Sequence, residues 1–132
     1  MNLLLDTNAY AFLRKGQAEL SDLVRKAQII SMSTIVLGEL RYGFLYGTKA
    51  GQNEKDLLQF IGEPKVKVLD VTSETAEIFG ILSATLRRKG RPIPSNDIWI
   101  AAHAFQTQSI LVSFDAHFQE IENLRFRYLK SD

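Results

Sequence analysis

Short apolar runs alternate along this chain with longer amphipathic stretches. The short runs are Leu3-Leu4-Leu5, Ile29-Ile30, the segment from Val66 to Val71, and Ile110-Leu111-Val112. None shows strict alternation, which predicts strands buried on both faces, as in a parallel sheet. Arg125-Phe126-Arg127-Tyr128 does alternate and predicts an edge strand with one exposed face. Helical spacing fills the gaps. From Ser33 to Gly47, the positions Val36, Leu40 and Phe44 recur every four residues. Ala76, Phe79, Leu82, Ser83 and Leu86 form one stripe, with Gly90 as its expected C-cap. Ile98, Ala101, Ala102 and Phe105 form another, with Ser95 as the expected N-cap just after Pro92 and Pro94. Shorter helices are expected at 7–15, 18–26 and 52–61, and loops at 47–51 and 91–94. Strands alternating with helices predict a three-layer α/β/α sandwich around a central, mostly parallel sheet of the Rossmann type. No repeat, low-complexity tract or linker divides residues 1–132, so one domain is expected.

Composition narrows the class. Apolar residues make up 45% of the chain, enough for a substantial core. With 16 basic and 15 acidic side chains the net charge is +1, so overall charge neither demands nor excludes a nucleic-acid partner. There is no cysteine, which excludes disulfides and thiolate metal sites and agrees with a reducing, cytoplasmic setting. The opening Met1-Asn2-Leu3-Leu4-Leu5-Asp6 lacks a basic n-region and its apolar run is short, so neither a signal peptide nor a membrane span is expected.

The acids carry the candidate chemistry. In an open parallel sheet, ligands sit beyond the carboxyl ends of the strands. Asp6 follows the first strand, Asp115 follows the strand ending near Val112, Glu39 lies early in the helix after Ile29-Ile30, and Asp97 lies in the first turn of its helix. Two like charges ~4 Å apart repel by roughly 4 kcal/mol at an effective dielectric of ~20. Gathered acids are therefore partly protonated or hold a cation. Oxygen-only ligands favour Mg²⁺ or Mn²⁺, ions that activate water and stabilise charge on a phosphodiester. The alternative is that each acid serves a helix terminus as cap or dipole partner. Asp70 also follows a strand, so position alone does not decide.

The neighbouring residues favour the first reading. Leu3-Leu4-Leu5-Asp6-Thr7-Asn8 resembles the opening motif of PIN domains. Ser33 with Glu39-Leu40 and Gly43 resembles their second acidic motif, Asn96-Asp97 with Ile100-Ala101-Ala102 and Ala104 the third, and Leu111-Val112-Ser113-Phe114-Asp115 with Phe118 the fourth. All four occur in order, from residue 3 to about residue 129. Gly38-Glu39-Leu40-Arg41-Tyr42-Gly43 looks most like the VapC toxins of type II toxin–antitoxin pairs. The resemblance implies a PIN-like fold and a metal-dependent endoribonuclease acting on tRNA or rRNA. It further implies a homodimer blocked by a VapB-type antitoxin. Asp6, Glu39, Asp97 and Asp115 match the family's acidic positions, and Thr7, Asn8 and Ser113 match supporting polar ones. Phe114 departs from the pattern, where a polar residue or Arg is frequent. Two alternatives remain: a PIN nuclease of RNA processing with no antitoxin, and a receiver-like Mg²⁺-binding signalling module using Asp70. The short segment after the last strand, residues 129–132, leaves no room for a receiver's closing helix.

Other residues carry weaker signals. Arg87-Arg88-Lys89-Gly90-Arg91 and Arg14-Lys15 are candidate RNA-binding runs, although basic residues in a last helical turn also complement the dipole. Trp99 is expected to pack on a helix flank rather than stack on a base. His103 and His117 fit no short zinc motif and are expected to be structural or surface residues. Of Tyr42, Phe44, Leu45 and Tyr46, one helix face is expected to fill the core and the rest to leave an exposed patch for a second subunit or an antitoxin helix.

Overall fold

The computed structural model describes residues 1–131. Its elements run β1 (Asn2–Leu5), α1 (Thr7–Arg14), α2 (Ala18–Lys26), β2 (Ile29–Ser33), α3 (Thr34–Tyr46), α4 (Ala50–Ile61), β3 (Val66–Leu69), α5 (Ser73–Arg88), α6 (Ser95–Thr107), β4 (Ile110–Ser113), a 3₁₀ turn (Ala116–Glu120) and β5 (Phe126–Tyr128). The strands form one sheet in the order β3-β2-β1-β4-β5, and every pairing is parallel. From β1 the chain steps outward to β2 and β3. It then crosses back over β1 to β4 and β5. With right-handed crossovers, this reversal divides the helices between the two faces of the sheet and completes the three-layer sandwich.

The central strands are the most deeply buried. Leu3, Leu4 and Leu5 of β1 and Leu111 and Val112 of β4 are all at most 1% exposed. They carry the continuous apolar pattern that a strand covered on both faces requires. β5 is an edge, as its alternation predicts, with Arg127 exposed. The other edge differs from expectation. β3 ends at Leu69, Lys67 and Val68 are exposed, and Val71 lies beyond the strand on the surface. The apolar run there marks an outer strand that pairs only with β2.

Two helix details are also corrected. The buried stripe of α5 contains Thr75 where Ala76 was expected, and Ala76 itself is exposed. The Thr75 hydroxyl donates to Gln106 Oε1 on α6 at 2.6 Å, which satisfies a polar group inside the α5–α6 packing. Ser95 is the first residue of α6 rather than its cap; Pro94 takes the cap position, with no side-chain hydrogen bond. Gly90 sits just past the α5 cap Lys89 with φ +72°, a left-handed conformation that glycine adopts without penalty.

Candidate metal centre

The switch in strand order lies between β1 and β4, where an open parallel sheet leaves a crevice at its carboxyl edge. Asp6, the first residue after β1, stands there and caps α1: its Oδ1 accepts from Ala9 N–H at 2.8 Å. Its Oδ2 accepts from Ser113 Oγ, on the last residue of β4, at 2.5 Å. The Ser113 oxygen in turn accepts from Asp115 N–H at 2.9 Å. One hydroxyl thus ties two of the acids together. Asp6 is only 4% exposed. Burial pushes its pKa up from 3.8 to about 6; the hydrogen bonds from Ser113 and Ala9 oppose this, and the charges of Asp97 and Asp115 add to it.

Glu39 enters from α3, which Ser33 caps by accepting from Ile35 N–H at 3.0 Å. Both of its carboxylate oxygens are held. Thr7 Oγ1 donates to Oε1 at 2.6 Å, and Asn96 Nδ2 donates to Oε2 at 3.2 Å. Asp97 lies in the first turn of α6. Burial raises its pKa, the neighbouring His117 lowers it, and Glu39 and Asp115 raise it again. Asp115 caps the 3₁₀ turn by accepting from His117 N–H at 3.3 Å. Asp6, Thr7, Asn8, Glu39, Asn96, Asp97 and Asp115 line one pocket of about 430 Å³. The four acids expected to converge therefore do converge.

Two neighbours were not foreseen as site residues. Asn96 holds Glu39, and the only sequence hint was its place beside Asp97. His117 was expected to be structural or superficial, yet its ring lies between two of the acids, with Nε2 2.7 Å from Asp97 Oδ2 and Nδ1 2.9 Å from Asp115 Oδ1. His103 is buried in α6 as a structural residue, its Nε2 3.0 Å from the Asp70 carbonyl oxygen. Asp70 lies past the outer strand β3 and does not line the pocket, which removes the support for a receiver-like site.

The basic runs stay outside the pocket. Arg87 and Arg88 are exposed in the last turn of α5. Lys89 Nζ donates to the Glu120 carbonyl at 2.6 Å, and Arg91 Nε lies 3.8 Å from the Glu120 carboxylate. Arg14 pairs with Asp56 at 3.5 Å, and Lys15 Nζ stands 5.6 Å from the centre of the Phe12 ring. Trp99 stacks on Phe79 of α5 with centroids 3.8 Å apart, the flank packing expected of it. On α3, Tyr42, Leu45 and Tyr46 are 70%, 79% and 84% exposed, a contiguous apolar patch. No helix among the described residues is long and apolar enough to cross a membrane.

The donor chemistry fits a divalent cation. A buried carboxylate with a raised pKa, beside further acids in a polar pocket, is stabilised by any charge that neutralises it. A PIN-domain family model matches residues 3–124. The chain is 33% identical over 129 residues to ribonuclease VapC2 of Rickettsia felis, covering 94% of this chain and 95% of that protein. It is 30% identical over 129 residues to the tRNA(fMet)-specific endonuclease VapC of Shigella flexneri, covering 95% and 96%. The fold superimposes with a TM-score of 0.87 and 29% identity on the crystal structure of VapBC2 from Rickettsia felis bound to a promoter DNA fragment, covering 98% of this chain and all of that one.

Proposed function

Because this chain belongs to the PIN-domain family, and within it to the VapC ribonucleases, we propose that it is a metal-dependent endoribonuclease, the toxin of a VapBC-type pair. The observation that carries the reading is the convergence of Asp6, Glu39, Asp97 and Asp115 on one pocket at the β1–β4 crevice. Asp6 and Asp97 are the principal ligands of Mg²⁺ or Mn²⁺, with Glu39 and Asp115 acting directly or through water. Such an ion makes water a better nucleophile and neutralises charge on the phosphodiester. The protein's own part is placement. Asp6 is fixed by Ser113 and Ala9, and Glu39 is fixed by Thr7 and Asn96, so the ligand oxygens are positioned before the ion arrives. Hydrolysis by water leaves a 5′-phosphate and a 3′-hydroxyl. It needs no 2′-hydroxyl, so the choice of RNA rests on kinship with the VapC ribonucleases. The substrate class is structured RNA, tRNA or rRNA, and the setting is the cytoplasm. Arg87, Arg88, Lys89 and Arg91, with Arg14 and Lys15, form the track for its backbone.

The α3 patch of Tyr42, Leu45 and Tyr46 is the surface for a second subunit or a VapB-type antitoxin. Brief expression in cells tests the proposal. It should arrest growth, and sequencing of new RNA 5′ ends should show discrete cuts bearing 5′-phosphates. Cuts that persist in the Asp6→Asn protein would overturn the site, and normal growth during full RNA cleavage would favour a processing nuclease without an antitoxin.

A further inference from the structure

His117 lies beside Asp97 and Asp115 at the edge of the acid cluster, behind the residues that line the pocket itself. One atom each from Asp97, Asp115 and His117 can be chosen so that all three lie within 4.8 Å of one another. The ring is held there by the 3₁₀ turn, whose first N–H contact to Asp115 Oδ1 comes from His117 itself, and it packs against Phe118 at 4.9 Å. Nε2 is buried and has no hydrogen-bond partner, although Asp97 Oδ2 is only 2.7 Å away. The oxygen lies off the direction in which a ring N–H would point. A buried ring nitrogen left in this way is open to a further partner.

We propose that His117 is a ligand of the catalytic cation through Nε2, next to Asp97, and that Asp115 orients the ring from its Nδ1 side. At 2.7 Å apart, Asp97 Oδ2 and His117 Nε2 are near enough that one cation would be held by both. Asp115 Oδ1 lies 2.9 Å from Nδ1, near enough to orient the ring as carboxylates orient metal-ligating histidines. With this nitrogen the centre is a mixed oxygen–nitrogen site. Imidazole binds transition ions in preference to Mg²⁺, so the centre favours ions such as Co²⁺ more than four carboxylates alone would.

The inference rests on the metal-dependent reading, and its test separates the two. Tag-free full-length protein is loaded with Mn²⁺ and read by pulsed electron paramagnetic resonance for a directly coupled imidazole nitrogen. The chain has two histidines, so the variants His117→Gln and His103→Gln assign any signal. The coupling is expected in wild type and in His103→Gln and absent in His117→Gln. In calorimetry His117→Gln should weaken Co²⁺ binding on the order of 10-fold and Mg²⁺ binding far less. Asp97→Asn serves as the control. If Mn²⁺ binds it as tightly as wild type, the metal site itself is wrong. If Asp97→Asn loses Mn²⁺ while wild type shows no nitrogen coupling, the metal reading stands and the role of His117 is overturned.

Discussion

Ser113 and Asp6, 107 residues apart in sequence, meet through a buried 2.5 Å hydrogen bond. The bond joins the ends of β4 and β1 and works against the burial that raises the Asp6 pKa to about 6. Ser113→Ala should therefore raise that pKa further. It also leaves Asp115 N–H without its acceptor, so a loss of ~1–3 kcal/mol in stability is expected. The check is a pH–rate profile for RNA cleavage beside a urea melt. The acid limb should move to higher pH, and an unmoved limb would separate Ser113 from the ionisation of Asp6.

Asp6→Asn should abolish metal-dependent cleavage and stabilise the metal-free protein at neutral pH. The folded-state pKa of about 6 lies above the unfolded value of 3.8, so the folded protein binds the proton more tightly. This group favours folding most below pH ~3.8, and the benefit is lost as pH rises through about 6. At pH 7.5 the buried charge costs on the order of 2–3 kcal/mol, from the 1.36 kcal/mol that each pKa unit represents. Denaturant melts in EDTA at pH 4.5 and 7.5 should show the variant's advantage only partly at the lower pH and fully at the higher. A variant less stable than wild type at pH 7.5 would mean that the cap of α1 outweighs the charge.

Metal binding should be visible as stability. A ligand that binds only the folded state adds RT ln(1 + [L]/Kd), about 2.7 kcal/mol at 100-fold excess over Kd, or a rise in melting temperature on the order of 10 °C. Asp97→Asn should leave the protein in EDTA as stable as wild type or more so, since burial and the neighbouring acids disfavour its charge. It should also shrink the Mn²⁺-induced rise. A destabilised variant that keeps the full rise would make Asp97 a helix-end residue and nothing more.

Replacing Arg87, Arg88 and Arg91 with Gln should weaken RNA binding and flatten its dependence on salt, because fewer counterions are released. Mn²⁺ affinity should stay unchanged, since none of the three lines the acidic pocket. Binding curves across a salt series decide the matter. An identical slope would confine these residues to the end of α5.

The alternation of apolar runs and amphipathic stretches was enough to lay out the sandwich, because each element's burial follows from a local period. The four acids were legible for a related reason: Asp6 and Asp115 follow strands, Asp97 lies in the first turn of α6 and Glu39 in the second turn of α3, each within a recognisable motif. What escaped depends on partners distant in sequence. Thr75 takes a core position because Gln106 satisfies its hydroxyl, and no hydropathy pattern contains that bond. The run from Val66 to Val71 looks interior, yet only the strand order reveals that β3 has a neighbour on one side. The ring of His117 reaches Asp97 across 20 residues, through a turn whose direction the sequence does not state. A count of positive charges likewise could not show that Glu120 occupies Lys89 and Arg91.

The strand order has a consequence for synthesis. β1 emerges first but lies at the centre, and its β4 neighbour brings Ser113 and leads to Asp115. A nascent chain lacking β4 has neither the crevice nor the hydroxyl that fixes Asp6. While still being translated, such a chain holds Asp6, Glu39 and Asp97 without a surface on which they can meet. Nuclease activity would therefore switch on only after most of the polypeptide has left the ribosome. A half-made copy would cut no RNA.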